Sequence, residues 1–217
     1  ADVLARYHRL KGDEVFYVTG TDEHGQNIEK AAAKNIKTPK QWCDEISKKD
    51  RDQLDALNIS YDRFIRTTDA DHEETSLEFY KKVLENGDIY EGNYNGYYCE
   101  ACEAYKTLSE LVDGKCSFHP SLELKRVAER NYFFRWSKYN GFLKKHLQKN
   151  PSFVQPEARR QEMLSFLESG LDDIPVTRQN ISWGFKAPND PAQTIYVWFD
   201  ALINYYTAAK KIGFWEK

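Results

Sequence analysis

The chain has 217 residues, enough for one domain or two small ones. Its formal net charge is −3 and 41% of its residues are hydrophobic. This composition is typical of a globular protein and provides no overall positive charge for nucleic acid, so any contact with RNA must be local. The sequence contains no apolar run of membrane-spanning length and no signal-peptide pattern, which argues against a membrane protein.

The first part of the chain alternates helix and strand. Apolar residues on one helical face predict a helix over 1–10. The run 14–19 is apolar and rich in β-forming residues, which predicts a buried parallel strand. A polar loop, 20–25, separates this strand from a predicted helix over 26–34. Strand, loop and helix in this order form half of a βαβ unit.

The loop after this strand carries three polar side chains, Asp22, Glu23 and His24. In open α/β sheets, ligands bind at the carboxyl ends of the strands, so these residues lie where chemistry is expected. The same pattern also fits a charged surface turn in which the aspartate caps the next helix. This fragment of sequence does not decide between the two interpretations.

Two longer helices are predicted next. The pair Thr38-Pro39 is typical of a helix start, and this helix continues to about residue 57. After an extended piece, 59–67, a second helix is predicted to end at Leu84. From residue 88 the composition changes to Tyr, Gly and Asn, which predicts short strands.

The strongest chemical pattern combines Cys-x-x-Cys with Cys-x-x-His, separated by thirteen residues. The four candidate ligands are Cys99, Cys102, Cys116 and His119. Three thiolates and one imidazole suit a tetrahedral zinc ion, and because the protein fills all four positions the zinc is expected to be structural. The alternative is two chance pairs of small buried cysteines. The residues 111–115 between the pairs are predicted to form the tip of a hairpin.

The fourth cysteine, Cys43, lies in a predicted helix and outside this pattern. Three thiols committed to a metal and one odd thiol argue for a reducing compartment. We therefore expect a cytoplasmic protein, with an organellar matrix as the alternative.

Regular elements return after the metal pattern. An aromatic strand is predicted over 129–137, followed by helices over 141–148 and 156–169. The first flank of the chain has too few strands to close a sheet alone, so we predict one α/β domain built from both flanks and interrupted by an insertion. The first half, the insertion and the second half are predicted at 1–87, 88–175 and 176–217.

The second flank contains a predicted buried strand, 195–197, and then a helix. Four residues of this helix are spaced i, i+3, i+4 and i+7 and so share one face. They are Trp198, Ala201, Leu202 and Tyr205. Such a stripe usually faces a core, but at the end of a strand it also fits the wall of an apolar pocket. Helical spacing does not distinguish these two roles.

Taken together, six segments resemble the methionyl-tRNA synthetase family of class I aminoacyl-tRNA synthetases, in the family's order and spacing over essentially the whole chain. They are 1–7, 19–25, the four-ligand pattern, 131–135, 182–184 and 196–201. The resemblance implies a doubly wound parallel nucleotide-binding sheet interrupted by a connective insertion with a zinc knuckle. It also implies an enzyme that uses ATP and Mg²⁺ to convert methionine to methionyl-adenylate and then charges tRNA(Met), with neither DNA nor a membrane as a partner.

The resemblance also assigns a methionine site. Asp22 corresponds to the carboxylate that receives the substrate's ammonium group, Arg178 to the arginine of the site, and Trp198 to the indole that packs on the substrate. The residues that correspond to the surroundings of the thioether are Ala201, Leu202 and Tyr205. Carboxylate–ammonium and aromatic–sulfur contacts suit this ligand, and no side chain of the chain is expected to act as a general base.

The two ATP-handling signatures of the family, His-x-Gly-His and Lys-Met-Ser-Lys-Ser, do not occur in the chain. The family's layout puts them before Ala1 and after Lys217, and the first predicted helix begins without a cap, so we expect the middle of a synthetase that is inactive alone. The alternative is a non-catalytic zinc-containing fragment or paralogue that binds methionine or a partner. A relative that charges valine, leucine or isoleucine is disfavoured, because the large editing insertion of those enzymes is absent.

Overall fold

The structure is a computed structural model that describes residues 1–210 and 212–214. Within these residues the chain forms eight α-helices: α1 Asp2–Leu10, α2 Gln26–Lys34, α3 Pro39–Ala56, α4 Ala70–Glu85, α5 Asn140–Lys149, α6 Glu157–Glu168, α7 Val197–Asp200 and α8 Ile203–Lys210. The same residues form eleven β-strands: β1 Val18–Thr21, β2 Arg63–Arg66, β3 Ile89–Cys99, β4 Ala104–Lys106, β5 Leu111–Val112, β6 Lys115–Cys116, β7 Lys125–Phe134, β8 Ile174–Pro175, β9 Thr177–Arg178, β10 Lys186–Ala187 and β11 Asp190–Ile195. None of the helices in these ranges combines the length and apolar character needed to span a bilayer.

In the first flank, β1 and β2 pair in parallel, with Gly20 opposite Ile65. β1 begins four residues later than the predicted run 14–19 and continues through Gly20, which the sequence had assigned to the loop. A Cβ atom added at Gly20 would lie 1.7 Å from the carbonyl oxygen of Ile65. The two strands therefore approach this closely only because the position is glycine.

The other strand pairings are antiparallel. The long strands β3 and β7 pair from Ile89 opposite Phe134 to Tyr98 opposite Lys125, within a four-stranded sheet of order β4-β3-β7-β8. β9 and β10 flank β11 in a three-stranded sheet, and β5 pairs with β6. The chain thus has an α/β fold with both parallel and antiparallel sheets. Within the described residues, 1–210 and 212–214, the pairing of β1 with β2 is the one parallel pairing.

The main hydrophobic core joins α4, β3 and the strands that follow β8. Tyr80 of α4, Ile89 of β3 and Val176 between β8 and β9 are buried in it together. Leu77 and Leu84 of the same helix pack against this core. α4 therefore packs against both the start of β3 and the segment that contains Val176.

The two strands predicted after the metal pattern, 129–137 and 195–197, have wrong boundaries at both ends. β7 begins earlier, at Lys125, and β11 begins earlier, at Asp190. β7 ends at Phe134 instead of residue 137, because Trp136–Tyr139 form a 3₁₀ helix. β11 ends at Ile195, because Tyr196 is already the N-cap of α7.

The single helix predicted after β11 is two helices. α7 ends at Asp200 and α8 begins at Ile203. At the break, the backbone N–H of Asn204 donates to the carbonyl of Ala201, three residues back, which is the tighter pattern of a 3₁₀ turn. The four residues predicted on one helical face therefore lie on two short helices and the turn between them.

Candidate metal centre and substrate pocket

Four candidate metal-ligand side chains meet where the chain folds back at the β5–β6 hairpin. Cys99 ends β3, Cys102 follows in the next turn, Cys116 lies in β6 and His119 lies in the turn after it. The ligand atoms of the four residues all lie within 4.8 Å of one another. The Sγ atoms of Cys102 and Cys116 are 3.6 Å apart, and Nδ1 of His119 is 3.1 Å from Sγ of Cys102. The predicted ligand set is thus brought together.

The hairpin between the two ligand pairs explains this convergence. Asp113 and Gly114 form its turn with φ angles of 51° and 74°, the left-handed backbone that joins two tightly paired strands. β5 and β6 leave the turn antiparallel, as predicted for 111–115. In a tetrahedral site with zinc–sulfur bonds of about 2.3 Å, two sulfur atoms are about 3.8 Å apart. The spacing and the donor set therefore fit structural zinc, with every ligand position supplied by the chain.

The loop after β1 is anchored by Glu23, whose side chain is buried. Its carboxylate accepts two hydrogen bonds from the guanidinium of Arg66, at 2.7 and 2.9 Å, and one from the hydroxyl of Thr68. Its backbone N–H donates to the hydroxyl of Thr67. A bidentate arginine fixes both the position and the orientation of a carboxylate, so Glu23 serves to hold the loop.

His24, the next residue, is also buried and reaches the second flank. Its Nδ1 lies 2.7 Å from Oδ2 of Asp200 in α7, and the ring of Phe185 meets the imidazole edge-on at 4.5 Å. Trp183, of the Ser-Trp-Gly segment, contacts the same imidazole with its ring and donates from its indole N–H to the carbonyl of Glu23. The loop is thus tied to α7 and to the segment that leads into β10.

Asp22 differs from these two neighbours because its side chain is exposed. It does not cap α2, whose N-cap is Gly25, so the interpretation of Asp22 as a helix cap is wrong. The surrounding protein removes part of the hydration of its carboxyl group, and the carboxylates of Asp200 and Glu103 add repulsion, so the pKa of Asp22 rises to about 6. With Trp42 it lines a cavity of about 290 Å³. The loop therefore presents one accessible carboxylate in acidic surroundings.

Glu103 joins three parts of the site, and no pattern in the sequence singles it out. It follows the ligand Cys102, and its carboxylate accepts a hydrogen bond of 2.6 Å from the backbone N–H of Asn27 at the start of α2. Its backbone carbonyl accepts from the indole of Trp198, at 3.0 Å, and from the hydroxyl of Tyr196. Negative charge at a helix N-terminus is stabilising, so Glu103 alone supplies both a cap for α2 and an acceptor for Trp198.

Arg178 lies close to these groups but is only 3% exposed. Its guanidinium donates to both carboxylate oxygens of Glu129, at 3.1 and 3.3 Å. It also stacks on the rings of Tyr98 and Tyr105, at 4.2 and 4.8 Å from their centroids. Nη1 has no hydrogen-bond partner in the described part of the chain. Burial raises the pKa of Glu103, and the positive charge of Arg178 opposes this rise.

Two of the residues predicted to wall a pocket line one groove. Trp198 and Leu202 line an apolar groove of about 850 Å³, together with Phe79 of α4. Trp198 is 54% exposed and Leu202 is 64% exposed, so neither is a core residue of the described chain. Tyr205 is also 64% exposed and Ala201 is partly exposed, but neither lines this groove. The structure therefore brings Trp198 and Leu202 together and leaves Ala201 and Tyr205 beside them.

Comparison with known proteins relates the chain to one group of enzymes. The family model described as class I tRNA synthetases (M) matches residues 1–125 and 106–216. The methionine–tRNA ligase of Thermosynechococcus vestitus is 50% identical over 209 residues, which cover 96% of this chain and 40% of that protein. The chloroplastic/mitochondrial methionine–tRNA ligase of Arabidopsis thaliana is 48% identical over 210 residues, which cover 96% of this chain and 34% of that protein. The chain thus spans about a third to two fifths of the length of these relatives.

Comparison with solved structures relates the chain to the same group of enzymes. Mycobacterium tuberculosis methionyl-tRNA synthetase bound by methionyl-adenylate is 42% identical and has a TM-score of 0.90, covering 96% of this chain and 42% of that chain. The apo form of that enzyme is 39% identical and has a TM-score of 0.78, covering 96% of this chain and 40% of that chain. The described arrangement is similar to both forms, with the higher score for the adenylate-bound form.

Proposed function

The chain belongs to the methionyl-tRNA synthetase family of class I synthetases, and on this basis we propose that the full-length protein joins methionine to tRNA(Met) through methionyl-adenylate, with ATP and Mg²⁺. The proposal concerns the full-length protein, because the chain covers 40% of the first relative. The observation that carries it is the convergence of the Asp22 loop with α7, tied by His24 and Asp200, beside an apolar groove that Trp198 lines.

We infer that Asp22 accepts the ammonium group of methionine. It is the exposed carboxylate of the loop, whereas Glu23 and His24 are already paired. A charge-assisted hydrogen bond of this kind contributes about 1.5–3 kcal/mol. The groove beside Trp198 and Leu202 offers the aromatic and aliphatic surface that a polarizable thioether favours.

Three further residues are proposed to belong to this site. Ala201 follows α7 directly, and Tyr205 lies in the first turn of α8. Neither lines the groove, so their place around the thioether is proposed from the family resemblance. Arg178 brings a positive charge to the acidic surroundings while it pairs with Glu129. Nη1 of Arg178 is buried and has no hydrogen-bond partner among the described residues, so we propose that Arg178 contributes to substrate binding through its positive charge.

The first step of the proposed reaction is attack by the methionine carboxylate on the α-phosphate of ATP, with pyrophosphate as the leaving group. The attacking carboxylate is already ionised, so no side chain has to remove a proton. The chain supplies position, because one contact to the ammonium group and one to the side chain together orient the carboxylate. Stabilisation of the pyrophosphate is assigned to the two ATP-handling signatures, which the chain does not contain.

We further propose that β1 and β2 belong to a doubly wound parallel nucleotide-binding sheet. Residues 1–87 and 176–217 are then its two halves, and 88–175 is a connective insertion held by structural zinc. The register of β3 and β7 supports this division, because the pairing of Ile89 with Phe134 brings the two ends of the long strands together at their base. The compartment is proposed to be the cytoplasm or an organellar matrix, with tRNA(Met) as the macromolecular partner.

Methionine-dependent exchange of pyrophosphate into ATP tests the proposed activity. The full-length protein should catalyse exchange with methionine and much more weakly with valine or leucine. The chain 1–217 alone should show no exchange, because neither ATP-handling signature occurs in it. A full-length protein that binds methionine without any exchange would establish the alternative, a non-catalytic methionine-binding paralogue.

The affinity of the full-length protein for methionine should fall as the pH drops through about 6. The pKa of Asp22 is raised to about 6, so its carboxylate is charged above this pH and neutral below it, whereas the ammonium group of methionine stays charged. Each pH unit below 6 should therefore weaken binding by up to about tenfold. Calorimetric titration with methionine across this range measures the effect.

The matched control for this prediction is Asp22→Asn, which keeps the shape of the side chain and cannot titrate. Its affinity should be weak and nearly independent of pH over the same range. Zinc content is followed at each pH, because protonated ligands release metal. An affinity of the unsubstituted protein that stays constant from neutral pH to well below 6 would contradict the role given to Asp22.

A further inference from the structure

His24 and Asp200 form a buried polar contact between segments that lie 176 residues apart in the chain. Nδ1 of His24 is 2.7 Å from Oδ2 of Asp200, and the two side chains are 4% and 0% exposed. Oδ1 of Asp200 has no partner in the described part of the chain. The two side chains are therefore joined by one hydrogen bond that is shielded from water. The proposed reaction assigns no chemical step to either side chain.

Each member of this pair is next to a proposed substrate contact. Asp22 lies two residues before His24 in the loop, and Trp198 lies two residues before Asp200 in α7. Neither segment has much internal support, because α7 is a single turn of four residues and Asp22 and His24 lie outside regular secondary structure. The orientation of Trp198 relative to Asp22 therefore depends on contacts with other segments. His24 with Asp200 joins the two segments directly, and Glu103 holds the indole of Trp198 from outside both.

The imidazole of His24 is itself held in place by aromatic rings. The ring of Phe185 lies at 4.5 Å with an interplanar angle of 77°, and the ring of Trp183 lies at 5.7 Å with an angle of 69°. Edge-to-face packing of this kind is favourable and restricts rotation of the ring. Nδ1 of His24 thus keeps its direction toward Asp200.

We propose that the His24–Asp200 pair is a positioning device that fixes Asp22 and Trp198 relative to each other in the methionine site. The inference rests on the proposed function, since it takes these two residues as substrate contacts. Methionine would contact Asp22 through its ammonium group and Trp198 through its side chain, and covalent bonds limit the distance between these two groups. A shift of Asp22 relative to Trp198 therefore weakens both contacts. His24 and Asp200 are positioning residues, because they act through Asp22 and Trp198 and do not touch the substrate.

Substitutions in the full-length protein separate positioning from folding. His24→Asn keeps an N–H donor near the place of Nδ1, His24→Gln puts the donor farther out, and His24→Leu removes it. Asp200→Asn keeps an acceptor, whereas Asp200→Ala removes it. The matched control is His8→Leu: Nδ1 of His8 also lies 2.7 Å from a carboxylate oxygen, of Asp13, but both side chains are 48% exposed.

The readout is the set of kcat and separate KM values for methionine and ATP in pyrophosphate exchange, with active sites titrated. His24→Leu and Asp200→Ala should raise the KM for methionine by roughly ten- to a hundredfold and leave the KM for ATP within about twofold. His24→Asn and Asp200→Asn should recover most of this loss, whereas His24→Gln should not. His8→Leu should change neither constant.

The double variant His24→Leu/Asp200→Ala tests independently whether the two side chains act through one contact. Because both substitutions remove the same contact, its KM for methionine should be close to that of either single variant instead of the product of the two effects. If His24→Leu does not fold, His24→Gln takes its place, since it keeps a polar side chain of similar length and misdirects the donor.

A purely structural pair would give a different result. The variants would then lower the melting temperature and the number of titratable active sites, with the KM for methionine unchanged, and that outcome would overturn the proposal. A folded, fully active His24→Gln protein with an unchanged KM would overturn it as well. Lack of exchange by the unsubstituted full-length protein would instead contradict the proposed function, so the two failures are distinguishable.

Discussion

Replacing Cys102 by serine should abolish zinc binding by the full-length protein, which is expected to hold one ion per molecule. Sγ of Cys102 lies 3.6 Å from Sγ of Cys116 and 3.1 Å from Nδ1 of His119, so its loss opens the centre of the ligand set. A serine hydroxyl does not replace a thiolate in a structural zinc site of this type. Such sites contribute on the order of 10 kcal/mol of free energy to folding.

Loss of the ion should unfold the knuckle locally. Its apolar side chains Leu108, Phe118 and Leu122 are exposed, so they provide no core that could hold the segment without metal. Because Glu103 caps α2 and accepts from the indole of Trp198, the KM for methionine should also rise, by about tenfold or more. Elemental analysis measures the zinc content, and amide hydrogen exchange over 99–122 measures the local unfolding. The kinetics of pyrophosphate exchange measure the KM for methionine.

Cys43→Ser is the matched control for this substitution. Cys43 is 3% exposed, and its Sγ lies 3.5 Å from the carbonyl oxygen of Glu23, a hydrogen bond that a serine hydroxyl can also donate. This variant should keep a full equivalent of zinc. A Cys102→Ser protein that also retains a full equivalent would show that the four side chains do not form the metal site.

The metal site was predictable because its determinants are local. Two ligand pairs with fixed spacing and a turn between them are enough to define a hairpin that folds one pair onto the other, and Asp113 and Gly114 form that turn. The bounds of β1 were not predictable in this way. The run 14–19 was predicted to be a buried strand from its residue types, but Glu14 is exposed and 15–19 are only partly buried. The strand begins where β2 is available as a partner, at Val18.

The contacts that assemble the proposed substrate site could not be predicted, because polar residues carry no periodicity that identifies a distant partner. Three such contacts join residues 176, 95 and 49 positions apart: His24 with Asp200, Trp198 with Glu103, and Arg178 with Glu129. The break between α7 and α8 was missed for a related reason, since the apolar pattern continues across it. The position of Asp22 after a strand was informative, but only the structure separates it from its paired neighbours.

Asp22→Ala should lower kcat/KM for methionine in the full-length protein by roughly ten- to a hundredfold. The substitution removes a charge-assisted hydrogen bond of about 1.5–3 kcal/mol, which corresponds to a factor of this size. Asp22 is an exposed residue, and partial desolvation together with the charges of Asp200 and Glu103 disfavours the ionised form of its carboxyl group, so its removal should not lower the melting temperature. Loss of activity without loss of stability separates a substrate contact from a structural role.

Trp198→Ala should lower kcat/KM by a comparable factor, because it opens one wall of the groove. The residue is 54% exposed, so the melting temperature should change little, whereas a core tryptophan would cost about 3–5 kcal/mol. Phe142→Ala is the control, since this aromatic residue of α5 is 64% exposed and lies outside the groove. It should leave both kinetics and stability unchanged.

The two site substitutions can be told apart by a ligand that lacks one functional group. 4-(Methylthio)butanoate has the thioether and the carboxylate of methionine but no ammonium group, and it should act as a weak competitive inhibitor of exchange. Asp22→Ala should bind this analogue as well as the unsubstituted protein does. The analogue has no ammonium group, so the side-chain carboxylate of Asp22 makes no ion pair with it and its removal costs nothing. Trp198→Ala should lose affinity for the analogue and for methionine by similar factors, since both carry the thioether. Equal losses for the two ligands in Asp22→Ala would show that Asp22 does not meet the ammonium group.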